Sequence, residues 1–280
     1  MIKDLVVNLS GRAAQTPGTQ DFAVDYAISV AKAFGAHVAG IAFLYEPVIP
    51  DGTLGGIPVD LIELQREESS KAAKSAVARF EAAAKAAAVT AETRILDATF
   101  GGAATLFGNI ARRFDLAVVA QAQREHGASE ELMIEGALIE SGRPIIVVPY
   151  IQKQGLALER VVACWDGGRT AARAIADAMP LLERAKAVDI AIVTEERKND
   201  EISGASMSEH LARHGVAANV KRIAKGDIAV QDAILDYVAD SGADLIVMGG
   251  YGHSRLREFI LGGVTRGILA AMTVPVLMSH

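Results

Sequence analysis

Short apolar runs alternate along this chain with longer stretches in which apolar residues recur every third or fourth position. Leu5 to Leu9 is one such run, closed by Ser10-Gly11, and Val161 to Trp165 is another, closed by Asp166-Gly167-Gly168. Helical spacing follows each, over Thr19 to Phe34 and over Thr170 to Ala185. Further apolar runs come next, at His37–Leu44 and Val188–Thr194. Strands separated by helices of about 10–15 residues predict βαβ units and a parallel sheet. The strands are apolar throughout rather than alternating, which suits a sheet covered on both faces.

The pattern occurs twice. Asp115-Leu-Ala-Val-Val-Ala120 resembles Asp244-Leu-Ile-Val-Met-Gly249, and Pro144 to Pro149 resembles Pro275 to Ser279. Five strands per half are expected, with domains over 1–150 and 159–280. The polar stretch Gln152-Lys153-Gln154-Gly155 joins them. The first half carries about 20 additional residues between its second and third strands, long enough for a lid, a contact surface or a plain excursion. This 46–60 insertion holds Pro47, Pro50, Gly52, Gly55, Gly56 and Pro58. A long helix over Asp60 to Ala87 follows, favoured by its Ala, Glu and Lys content.

Composition narrows the function classes. A chain of 280 residues with 51% hydrophobic and 22% charged residues can bury two cores and is not disordered. The net charge is −6, with Lys and Arg dispersed, which argues against nucleic acid or an anionic membrane surface as the main partner. A lone cysteine, Cys164, excludes an intrachain disulfide and a CxxC zinc cluster. No signal-peptide pattern follows Met1, and no apolar run nears the roughly 20 residues of a membrane span. A cytoplasmic protein is expected.

The richest chemistry follows the second half's fourth strand. Two glycine clusters, Gly249-Gly250 with Gly252 and Gly262-Gly263, flank a polar excursion, and the second opens a helix whose buried stripe is Val264, Ile268 and Met272. Glycine allows positive φ and lets backbone N–H groups approach an anion closely. At a helix start those N–H groups lack internal partners and the dipole favours negative charge. A tight strand-to-helix turn with close packing is the alternative explanation. The absence of a GK[ST] step separates this loop from a P-loop.

The spacing Gly249-x2-Gly252-x9-Gly262 resembles the nucleotide-binding signature of the universal stress protein family, and Asp166 resembles that family's opening motif. The resemblance implies two Rossmann-like α/β domains of the HUP type, each a five-stranded parallel sheet flanked by helices, in strand order 3-2-1-4-5. It implies a pseudo-dimer paired through the final strands, and ATP or ADP, with or without Mg, as ligand. Carried over, Asp166 faces ribose or adenine, with Cys164 and Trp165 lining the base pocket. Val193 sits against adenine, with Ile192 as the competing register. Met248, Gly249, Tyr251 and Gly252 wrap the ribose and first phosphate, and Gly262, Gly263, Val264 and Thr265 hold the outer phosphates. Gly263 replaces the usual Ser or Thr, removing a hydrogen bond to a charged group worth about 1.5–3 kcal/mol. That loss corresponds to roughly tenfold or more in affinity.

The first half lacks these features. Ala120 to His126 replaces the first glycine cluster, Leu132-Met133-Ile134-Glu135 replaces the second, Ser10 replaces Asp166, and Glu135 would repel phosphate. A structural or partner-binding role is expected there. His210 and His214 stand at i,i+4 without the Glu of an HExxH motif, and read as solvated side chains. His253, Arg255 and Arg257 either neutralise phosphate or solubilise a loop. No catalytic constellation stands out, so ATP hydrolysis, if present, is slow. The functional expectation is a stress-related regulatory protein with one adenine nucleotide per chain. The alternatives are a non-binding scaffold or, third, an adenylate-forming enzyme. A protein partner is expected, and a homodimer is compatible with the sequence.

Overall fold

The computed structural model describes residues 1–10, 20–46, 59–123, 127–194, 204–250 and 263–280. The 46–60 insertion therefore lies almost wholly outside the described residues, as do Tyr251, Gly252 and Gly262 and the cationic residues His253, Arg255 and Arg257.

In the first half, strands β1 (Asp4–Asn8), β2 (His37–Tyr45), β3 (Ala91–Ala98), β4 (Leu116–Ala120) and β5 (Ile145–Val148) alternate with helices. These are α1 (Phe22–Phe34), α2 (Val59–Ala87), α3 (Gly102–Ala111) and α4 (Ala128–Ser141). The second half repeats the order with β6 (Val161–Cys164), β7 (Val188–Thr194), β8 (Ala218–Ala224), β9 (Leu245–Gly249) and β10 (Val276–Ser279). Its helices are α5 (Arg169–Leu182), α6 (Gly204–Arg213), α7 (Val230–Ser241) and α8 (Gly263–Ala271).

All strands form one ten-stranded sheet in the order β3-β2-β1-β4-β5-β10-β9-β6-β7-β8. Each half thus has the expected 3-2-1-4-5 order with parallel pairing. The halves join where β10 pairs antiparallel with β5, Leu277 opposite Ile146, as the pseudo-dimer expectation required. That pairing covers two edges that would otherwise present free backbone groups. The remaining edges, β3 and β8, are largely exposed and carry charge, including Glu92, Arg94, Lys221 and Arg222.

Side chains from strands alternate between two cores. One lies beneath α1, α2, α5 and α6 and includes Val7, Phe80, Ile175, Ile190 and Leu277. The other lies beneath α3, α4, α7 and α8 and includes Phe107, Leu138, Ile246, Ile268 and Met278. Both cores run through both halves. This double coverage is why the strand sequences are apolar at successive positions.

The repeated Asp before the fourth strand has the same task twice. Asp115 Oδ2 accepts the backbone N–H groups of Lys3 (2.7 Å) and Asp4 (3.1 Å). Asp244 Oδ2 accepts those of Glu159 (2.7 Å) and Arg160 (3.3 Å). Each carboxylate pins the entry of its half's first strand to the entry of the fourth. Helix limits also follow local chemistry. Asp21 accepts the Val24 N–H and starts α1 later than Thr19, and Gly35 ends it in the left-handed conformation at φ 59°. Helix α5 stops at Leu182, before the expected Ala185, because the chain tightens to i−3 bonds after Pro180, Arg184 to Leu181 and Ala185 to Leu182.

Candidate functional site

The ends of β6, β7 and β9 lie side by side, with Cys164 opposite Ala191 and Ala163 opposite Val247. Extending that register sets Trp165 between Ile192 and Gly249, with Val193 one residue farther out. This is the carboxyl edge of the sheet, where ligands of open α/β sheets sit. Beyond β6 the chain makes a compact turn. Asp166 is exposed, its Oδ1 accepts the Gly168 N–H at 2.7 Å, and Gly167 takes φ 76°. Gly168 is the N-cap of α5 and gives no side-chain cap. Asp166 therefore closes the turn before the helix rather than capping the helix itself.

Neighbouring side chains divide between the faces. Cys164, Val193 and Met248 pack against the core beneath α7 and α8. Trp165 packs on the opposite core, and its Nε1 is buried with no hydrogen-bond partner among the described residues. Of the two competing registers, Ile192 is sealed in the core at 1% exposure, whereas Val193 is partly exposed. Burial, and then the charge of Asp166, push the Cys164 thiol up to about 12. It stays protonated and unreactive at ordinary pH.

The glycines of the motif have distinct local reasons. A Cβ on Gly249 would sit 2.6 Å from Thr170 and from the Ala171 nitrogen, so the first turn of α5 rests directly on the end of β9. A Cβ on Gly250 would meet Leu138 of α4 at 2.7 Å, which makes this glycine part of the contact between halves. The Gly250 N–H donates to the Ser279 carbonyl at 2.8 Å. Gly263 differs. It opens α8, and a Cβ there would meet nothing within 4 Å among the described residues. Thr265, two residues on in the same turn, is buried at 5% exposure, and Val264 is half-buried.

Residues 157–280 match the model of the Universal stress protein family. A universal stress protein of Synechocystis sp. is 27% identical over 166 residues, 56% of this chain and 52% of that protein. The second half of the chain therefore carries a universal stress protein domain. The match spans about half the length of that curated relative. A universal stress protein from Archaeoglobus fulgidus superposes with TM-score 0.70 at 16% identity, over 99% of this chain and 97% of that one. A putative universal stress protein from Pseudomonas aeruginosa gives TM-score 0.59 at 13% identity, over 99% and 93%. At such identities these two likenesses speak for the fold alone, across both halves.

At the corresponding edge of the first half, Ser10 follows β1 and the first turn of α4 carries Glu130 and Glu131. Glu130, five residues ahead of Glu135, and not Glu135 itself, lines a cavity at this edge. Glu135 is half-buried farther along α4, its carboxyl pushed up by burial and by Glu131. The sequence reading missed Glu130 because strand-based alignment of the repeats does not reveal that α4 begins earlier than α8. The rings of His210, on α6, and His214, just past its end, lie 4.9 Å apart at exposed positions. Among the described residues no group of three His, Cys, Asp or Glu is close enough to hold a metal ion. No described helix is long and apolar enough to cross a membrane.

Proposed function

We propose that this protein binds one adenine nucleotide, ATP or ADP, per chain in its second half, as a regulatory ligand and not as a rapidly turned-over substrate. The observation that carries the reading is the open space at Gly263. A helix starts there, and the first N–H groups of a helix have no partner within it; Asp166 is exposed at the sheet edge that this connection leaves. The signature Gly249-x2-Gly252-x9-Gly262 supports the same reading. Asp166 meets the sugar or base, Val193 and Met248 supply apolar contact from the α7/α8 face, and the start of α8 takes the outer phosphates, with Mg as an accompanying ion.

A second reading, an interaction module that binds no nucleotide, is favoured by one specific observation. Gly249 is required by packing alone, against the backbone of Thr170 and Ala171. Calorimetric titration with ATP and ADP, with and without Mg, separates the two. One saturable site per chain, weakened at least tenfold by Asp166→Ala, supports the nucleotide reading. Absence of heat with either nucleotide, and no change in Trp165 fluorescence, supports the interaction module.

A further inference from the structure

The carboxyl edge of the first half holds a cavity of about 410 Å³, a volume typical of small-molecule sites. It lies between the ends of β1 and β2, one side of α2, the turn before α3 and the first turn of α4. Two kinds of group dominate its wall. Phe43, Tyr45 and Phe100 form a run of rings with centroid separations of 6.4 and 6.0 Å. Glu46, Glu68 and Glu130 line the same space from three separate elements, and no Lys, Arg or His lines it among the described residues.

The wall is held in shape. The Tyr45 backbone N–H donates to Ser69 Oγ at 2.8 Å, which ties the end of β2 to α2. The Ser129 hydroxyl donates to Glu130 Oε2 at 2.7 Å and orients that carboxylate. Burial, and then the Glu130 charge, push the Tyr45 hydroxyl up, so it remains a neutral donor beside the acid.

An acid in a first helical turn is ordinary dipole complementation and would account for Glu130 alone. Glu46 at a strand end and Glu68 on a different helix gain nothing from that dipole. Carboxylates lining one cavity disfavour a phosphate. They attract a cation, and an aromatic wall adds ring-face attraction for the same charge.

We propose that this cavity binds a small organic cation carrying more than one ammonium or guanidinium group, its N–H donors shared among the separate carboxylates of Glu46, Glu68 and Glu130 and its body against Tyr45 and Phe100. The first half then keeps the ligand-binding edge of the fold with the charge preference inverted. The site does not depend on nucleotide binding in the second half.

Calorimetric titration of the full chain with agmatine and with spermidine tests this. At least one should bind saturably, one per chain. Glu68→Gln combined with Glu130→Gln should weaken binding at least tenfold, and Phe100→Ala severalfold. Glu209→Gln, an exposed acid on α6 outside the cavity, should leave affinity unchanged. If the double variant fails to keep native circular dichroism, Glu68→Gln alone, exposed on α2, must still weaken binding at least threefold. The proposal is overturned by absence of saturable binding with both probes. Equal affinity in wild type and cavity variants, or equal loss in the Glu209→Gln control, also overturns it.

Discussion

The side-chain nitrogen of Gln121 lies 2.8 Å from the carbonyl oxygen of Leu269 and joins the end of β4 to the last turn of α8 in the other half. Carbonyls in a final helical turn have no partner of their own. Here one is satisfied by a side chain at 3% exposure, whose Oε1 accepts the Tyr150 N–H at 3.2 Å. Gln121→Leu leaves both backbone groups unsatisfied in a buried place, and should cost about 1–3 kcal/mol in urea unfolding. An unchanged unfolding midpoint would show that water replaces the amide.

Asp189 is fully buried on β7, with Arg160 Nη1 at 2.7 Å and the Tyr237 hydroxyl donating at 3.0 Å. Burial and the Asp189 contact push the Tyr237 hydroxyl up to about 12, which keeps it a donor. Removing the arginine strands a charge at zero exposure, whereas removing the carboxylate leaves a partly exposed arginine that water can solvate. Arg160→Met should therefore cost about 3–5 kcal/mol, and Asp189→Asn clearly less. Chemical denaturation of both variants checks the order, and a reversed order contradicts it.

These two contacts mark the border of what the sequence discloses. The doubly covered sheet was legible because the central strands are apolar at successive positions, whereas the pseudo-dimer through the final strands was implied only by the family resemblance. Asp115 and Asp244 were visible as a repeat, but their hydrogen bonds to Lys3 and Glu159 require the folded register. Gln121 and its acceptor are separated by 148 positions, and no periodicity connects them. In the candidate site, Gly249 and Gly250 carried one apparent message, phosphate. A glycine kept for the approach of Thr170 and Ala171 has the same letter in the chain. The acid-lined cavity was hidden because Glu46, Glu68 and Glu130 come from three elements.

Asp21 gives a pH signature. Burial, only partly offset by the Val24 hydrogen bond and by Arg79, raises its carboxyl from 3.8 to about 6 in the folded chain. The folded state then binds this proton more tightly than the unfolded state. The stabilising contribution is complete below about pH 4 and is lost as pH rises through 6. Asn keeps an acceptor for the Val24 N–H, with similar capping preference and no charge. Urea midpoints of Asp21→Asn relative to wild type should improve between pH 4 and pH 6 and level off above. A difference flat across that range would show that Asp21 does not titrate there.

Gly249 and Gly263 separate packing from binding. At Gly249 a methyl group would sit 2.6 Å from the backbone of the α5 start, so Gly249→Ala should destabilise folding, by about 1–3 kcal/mol as overpacking usually does. At Gly263 a side chain enters open space. Gly263→Ser should fold normally and supply a hydroxyl at the helix start, where Ser serves well. If the start of α8 holds phosphate, that hydroxyl adds a charge-assisted hydrogen bond and tightens ATP binding about tenfold or more. Thermal unfolding and ATP calorimetry on both variants give four readings. A Gly263→Ser variant that folds as wild type yet gains no affinity would place the phosphates elsewhere, because neither strain nor lost packing would then explain the result.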